Sequence, residues 1–81
     1  MNSRHAKDSY QLDGVIYRLE QPDLHTWRVY GGSKLLGEVT EMLLHDVSVE
    51  YHARLAGGRE GITQVSTDVW GTAVEFLIAP Y

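Results

Sequence analysis

The 81-residue chain reads as an α+β domain: a three- to four-stranded antiparallel meander with one C-terminal helix packed on one face. Three observations predict it. Short segments of period-two alternation recur between residues 14 and 55, separated by Gly, Pro and Asp turn residues. After Ser66 the apolar spacing becomes helical, and Pro80 stops it. The connections are short, so consecutive strands should lie side by side.

The elements follow in order. Residues 1–9 hold no core-forming side chain beyond Met1 and are expected to form a mobile tail, leaving 10–81 as the folded domain. The first strand, 14–20, puts Val15, Tyr17 and Leu19 on one face and Ile16, Arg18 and Glu20 on the other; Gln21-Pro22-Asp23 should end it. The second, 24–30, turns Trp27 and Val29 inward and Thr26, Arg28 and Tyr30 outward. Gly31-Gly32-Ser33 suits a hairpin link. The third strand, 34–43, places Leu35, Gly37 and Val39 against Leu36, Glu38 and Thr40. His45-Asp46 supplies a turn. The fourth, 47–55, alternates strictly, with Val47, Val49, Tyr51, Ala53 and Leu55 inward and Ser48, Glu50, His52 and Arg54 outward. Residues 57–61 form a glycine-rich loop, and 62–65 suit a short edge strand.

Ser66 or Thr67 is placed to cap the helix, with Asp68 near the positive end of its dipole. At about 100° per residue, Val69, Trp70, Ala73, Val74, Phe76, Leu77 and Ile78 fill an arc of roughly 200°. A helix resting on one layer needs an apolar stripe about half that wide. Trp70, Val74 and Ile78 are therefore expected to form a partner-binding seam, because large apolar groups left uncovered mark interaction sites. Gly71 costs the helix about 1 kcal/mol relative to alanine, which suggests a close backbone approach there.

Composition removes several function classes. Apolar residues are 43% and charged residues 22%, ordinary globular usage. The net charge of −4 disfavours nucleic-acid binding by bulk charge, and beyond the tail five cations face ten acids. There is no cysteine, hence no disulfide scaffold, thiolate zinc site or cysteine nucleophile. No apolar run approaches the ~18–20 residues of a membrane span, and residues 1–8 lack the apolar stretch of a signal peptide. A cytoplasmic domain that does not enter membranes is the expectation.

The candidate chemistry is sparse. His5, His25, His45 and His52 form no metal-ligand motif, so no metal and no cofactor are expected. Gly31-Gly32-Ser33-Lys34 joins two strands and does not open a helix, unlike a phosphate-binding loop. Ser33, Ser48 and Ser66 have no histidine beside them and no nucleophile elbow. The outward sheet face is richer: Arg18, Arg28, Tyr30, His52 and Arg54 form a polar surface with Ile16 and Leu36, among Glu20, Glu38 and Glu50. Three glutamates offset three arginines, which suits a solvated or protein-binding face better than a nucleic-acid one.

Trp27-x-Val29, Gly32, Leu36-Gly37-x-Val39, Tyr51-x-Ala53 and a Thr67-initiated helix bearing Ala73 and Leu77 make a pattern over residues 26–78. It resembles the three-stranded DNA-binding domains of the AP2 type, the arm-binding domains of phage-type integrases, and small proteins of actinobacteria and their phages. The resemblance implies a sheet laid in the major groove, with Arg28, Tyr30 and Arg54 in the contacting positions. Residue chemistry and resemblance thus give two expectations. The first is a non-enzymatic module that binds a protein partner or a second copy of itself as a homodimer. The alternative is a DNA-binding domain using the outward sheet face.

Overall fold

The computed structural model describes residues 8–44, 48–57 and 61–80. One antiparallel sheet of six strands runs in sequence order, β1 (Ser9–Leu12), β2 (Val15–Asp23), β3 (Thr26–Gly31), β4 (Lys34–Leu43), β5 (Val49–Leu55) and β6 (Gln64–Thr67), followed by helix α1 (Trp70–Ile78). The α+β meander with a C-terminal helix is as expected; the three- to four-stranded sheet is not, since six strands form. The expected turn at His45-Asp46 and the start of the fourth strand at Val47 lie outside the described residues, as do residues 1–7 and 58–60.

Two of the additional strands lie at the sheet edges. Ser9, expected in the tail, opens β1, and Tyr10 pairs with Tyr17 across a two-residue turn. Asp13 (φ 52°) and Gly14 (φ 78°) make that turn, the left-handed conformation that an Asp-Gly hairpin requires. At the other edge, β6 begins two residues later than 62–65 and extends through Thr67, which pairs with Tyr51. Ser66 and Thr67 are therefore strand residues and not the helix cap. Val69 occupies the N-cap without a side-chain bond, and the Thr67 hydroxyl instead accepts from the Val69 N–H at 3.2 Å.

Two irregularities shift the sequence pattern. Gln21-Pro22-Asp23 does not end β2; the strand continues through it, with a register shift between Glu20 and Asp23. Proline is tolerated at such an irregularity because no ladder bond is required of it. In β4, Tyr30 pairs with Leu35 but Val29 pairs with Gly37, leaving Leu36 as an extra residue. This bulge turns Leu36 onto the core, whereas simple alternation places it outward.

The core lies between the sheet and α1. Trp27, Val29, Val39 and Ala53 are fully enclosed from the sheet side, and Ala73, Val74, Phe76 and Leu77 from the helix. An aromatic row crosses the molecule. Tyr10 packs edge-on to Trp70 (5.7 Å between centroids), Trp70 to Trp27 (5.9 Å) and Trp27 to Tyr51 (6.3 Å), all T-shaped. Trp70 is thus gripped between β1 and β3, and only 5% of it is exposed.

This overturns the expectation of a spare helix face. Val74 is completely buried, and Ile78 is half-buried against the same core, so Trp70, Val74 and Ile78 are core residues of a single chain. The arc suits a sheet of six strands that reaches the helix from β1 on one side and β6 on the other. Gly71 does not mark a close backbone approach either. A Cβ there would meet only the Tyr10 hydroxyl, at 3.4 Å. The close approach is at Gly37, where a Cβ would strike the Arg54 carbonyl and come within 2.5 Å of Leu77 Cδ2.

Candidate functional site

The helix covers one face of the sheet, so chemistry on the other face depends on strand register. Antiparallel pairing sets outward residues in rows that run across the strands. One row is Glu20, Arg28, Glu38, Arg54 and Gln64, from β2 to β6. A second is Thr26, Thr40, His52 and Ser66, from β3 to β6. The first alternates in charge strand by strand, and most of that charge is internally matched.

Arg18 donates to Glu20 at 2.6 Å and lies 4.2 Å above the Tyr30 ring. The Tyr30 hydroxyl donates to the other oxygen of Glu20 at 3.1 Å. The Arg18 hydrogen bond, then that of Tyr30, holds the Glu20 carboxyl below the usual carboxylate range. Arg28 Nε lies 3.4 Å from Glu38, and His52 Nε2 lies 2.8 Å from Glu50. Arg18, Arg28, Tyr30 and His52 of the expected polar surface are therefore all engaged. Arg54 differs. Among the described residues no carboxylate lies within ion-pair distance of it, because Glu38, its partner in register, faces Arg28 as well.

Arg54 stands in a surface groove of about 410 Å³ on the outer side of β4, β5 and β6. Glu38 and Met42 line it from β4, His52 from β5, and Gln64 and Ser66 from β6. The groove combines the Arg54 cation, the Glu38 carboxylate already paired with Arg28, hydrogen-bonding side chains and an apolar wall in Met42, which is 44% exposed. The sequence-predicted face divides accordingly: Arg54 and His52 share the groove, while Arg18 and Tyr30 form a separate cluster towards β2.

The register also brings Ser66 directly opposite His52, whose ring is held by Glu50. Sequence reasoning missed this juxtaposition, since fourteen positions separate the two and only strand pairing joins them. The arrangement stops short of an activated nucleophile. Among the described residues Ser66 makes no hydrogen bond to His52, and both are exposed, without the enclosed, pre-aimed donors that stabilise an oxyanion.

A second polar cluster lies off this face. The Glu41 side chain, only 10% exposed, accepts from the Tyr51 hydroxyl at 3.0 Å and lies 2.9 Å from His25 Nδ1. With the bond from the Glu41 N–H to the His25 carbonyl, it ties the β2–β3 turn to β4. Among the described residues no group of three or more His, Asp or Glu could hold a metal ion, and no helix is long and apolar enough to cross a membrane. No family model, curated protein or solved structure matches this chain.

Proposed function

We propose that this chain is a non-enzymatic binding module for a protein partner, and that the outer face of β4, β5 and β6 makes the contact. One observation supports this reading: Arg54 lies in a groove of binding-site size and, among the described residues, makes no ion pair, since the Glu38 carboxylate that also lines the groove is paired with Arg28, as Glu20 is with Arg18. An uncompensated guanidinium beside Met42, Gln64 and Ser66 suits a partner segment that offers a carboxylate and a small apolar side chain. In this reading the alternating charges of the remaining face set partner choice, and the groove supplies affinity.

The alternative, a DNA-binding domain on the resemblance to AP2-type and integrase arm-type domains, draws on the outward positions of exposed Arg28 and Arg54 and half-buried Tyr30 on the sheet face that the helix leaves uncovered. It has less support because Arg28 shares its charge with Glu38 and the chain is acidic. Affinity capture from a lysate of the native host, with and without nuclease, separates the two. The protein-binding reading expects a nuclease-resistant partner that is lost with Arg54→Glu. Capture that disappears with nuclease, together with a gel shift at low salt, would favour DNA. Retention of the partner by Arg54→Glu would refute the groove.

A further inference from the structure

We propose that two copies of this chain join edge to edge through β6, antiparallel, about a two-fold axis passing through Val65. Among the described residues β6 has a ladder partner on one side only. The hydrogen-bond phase of the ladder decides which groups face the open side. The Leu55 N–H donates to the Thr63 carbonyl at 2.9 Å, in the same register that pairs Ala53 with Val65 and Tyr51 with Thr67. In an antiparallel ladder, bonded and non-bonded pairs alternate. Thr63, Val65 and Thr67 therefore turn their backbone groups to β5, and Gln64 and Ser66 turn theirs away from it.

A two-fold axis at Val65 sets Gln64 opposite the partner's Ser66, and Ser66 opposite the partner's Gln64. Both are residues whose N–H and C=O point outward, so each pair exchanges two backbone bonds. On the helix side the same axis puts Val65 against the partner's Val65 and Thr63 against the partner's Thr67. From 63 to 67 no charged residue occurs, so no like charges meet. At four residues β6 is short, which limits an open edge, but the side-chain and backbone protections are missing from it. Gln64–Thr67 holds no lysine, no proline and no bulge. The opposite edge is less suited, since Tyr10 of β1 is committed to the helix through Glu75 and Trp70.

Pairing through β6 also completes the outer groove. Gln64 and Ser66 form its outermost wall in one chain. In the dimer the row from Arg54 through Gln64 continues into the partner's Ser66 and the partner's His52, so each groove gains a floor from the second copy. The interface proposal stands without the groove's role in partner binding.

Sedimentation equilibrium of the full chain, from micromolar to millimolar concentration, tests the proposal. The expected result is a monomer–dimer equilibrium that tightens with salt, since both chains carry net negative charge and the ladder itself is neutral. Ser66→Pro removes an N–H that β5 does not use and should weaken the dimer at least about tenfold. The double variant Gln64→Lys with Ser66→Lys places lysines opposite one another across the axis, and should do the same with an unchanged circular dichroism spectrum. Arg54→Ala should leave the dimer intact, which separates this proposal from the groove reading. A chain that stays monomeric at millimolar concentration overturns it, as does a dimer indifferent to the double lysine variant.

Discussion

Gly37→Ala is the sharpest test of how α1 is seated. Gly37 lies in β4 beneath the end of the helix, and its backbone is not in the left-handed region, so alanine is excluded by space alone. The added methyl would strike the Arg54 carbonyl, come within 2.5 Å of Leu77 Cδ2 and lie 3.2 Å from Leu55 Cα. Leu77 is 2% exposed and has nowhere to retreat, and the other two neighbours are backbone of β5. Overpacking of this kind costs about 1–3 kcal/mol, and a clash with ladder backbone belongs at the upper end. The lower unfolded-state entropy of alanine returns about 0.4–1 kcal/mol. The net loss should be about 2 kcal/mol, or roughly 8–16 °C in melting temperature for a domain of this size.

Urea unfolding followed by tryptophan fluorescence and circular dichroism measures this directly. Gly71→Ala is the control. Its methyl meets only a hydroxyl at 3.4 Å, and alanine favours the helix by about 1 kcal/mol, so that variant should match or exceed the parent. A second cycle identifies which neighbour resists. Leu77→Ala opens space above residue 37, so the double variant with Gly37→Ala should lose less than the two singles together, with the Arg54 carbonyl clash remaining. Gly37→Ala within about 0.5 kcal/mol of the parent, a surface-like effect, would refute the close seating of helix on strand.

Trp70→Ala should cost about 3–5 kcal/mol, a large share of the stability of an 81-residue domain, and leave a mostly unfolded chain by circular dichroism. A native spectrum with an unchanged unfolding midpoint would make the indole peripheral. The Tyr10 hydroxyl is pushed up to about 12, first by desolvation and then by its 2.6 Å bond to Glu75 and that carboxylate's charge. Folding therefore favours the protonated hydroxyl, and the stability this provides is complete below pH 10 and declines as pH rises towards 12. Thermal melts should show that alkaline decline in the parent, and its attenuation in Tyr10→Phe.

Legibility in the sequence followed the strength of local pattern. The 34–43 strand is reproduced in full as β4 because its glycine-rich entry and apolar spacing agree. β5 was plain from strict alternation at Tyr51, His52, Ala53 and Arg54. β1 was missed because four residues with two apolar positions give almost no periodicity; the available signal was Asp13-Gly14, the dipeptide of a tight hairpin. Thr67 illustrates a different failure. Its capping propensity is real, yet pairing with Tyr51 extends the strand through it, an outcome set by tertiary contact. Leu36 depends on a bulge that no alternation rule contains. At the site, the Arg–Glu balance of the outer face was visible in composition and period. The isolation of Arg54 and the meeting of His52 with Ser66 required register, a long-range property.

A helix with a wider apolar arc than a flat layer can hide has two remedies: a second molecule on its outer side, or a sheet that reaches both flanks. This chain uses the second, with Tyr10 closing over Trp70 from β1 and Val65 packing on the core from β6. That use of both edge strands has a consequence for partners. Burial takes up the apolar arc of the helix, so the two surfaces proposed for binding, the charged outer face and the open edge of β6, both belong to the sheet. The two respond to salt with opposite sign. Contact between Arg54 and a carboxylate is screened and weakens, whereas pairing of two acidic chains through neutral Gln64–Thr67 loses its long-range repulsion and strengthens. A single salt series, read by partner affinity and by sedimentation, therefore distinguishes binding at the groove from association at the edge.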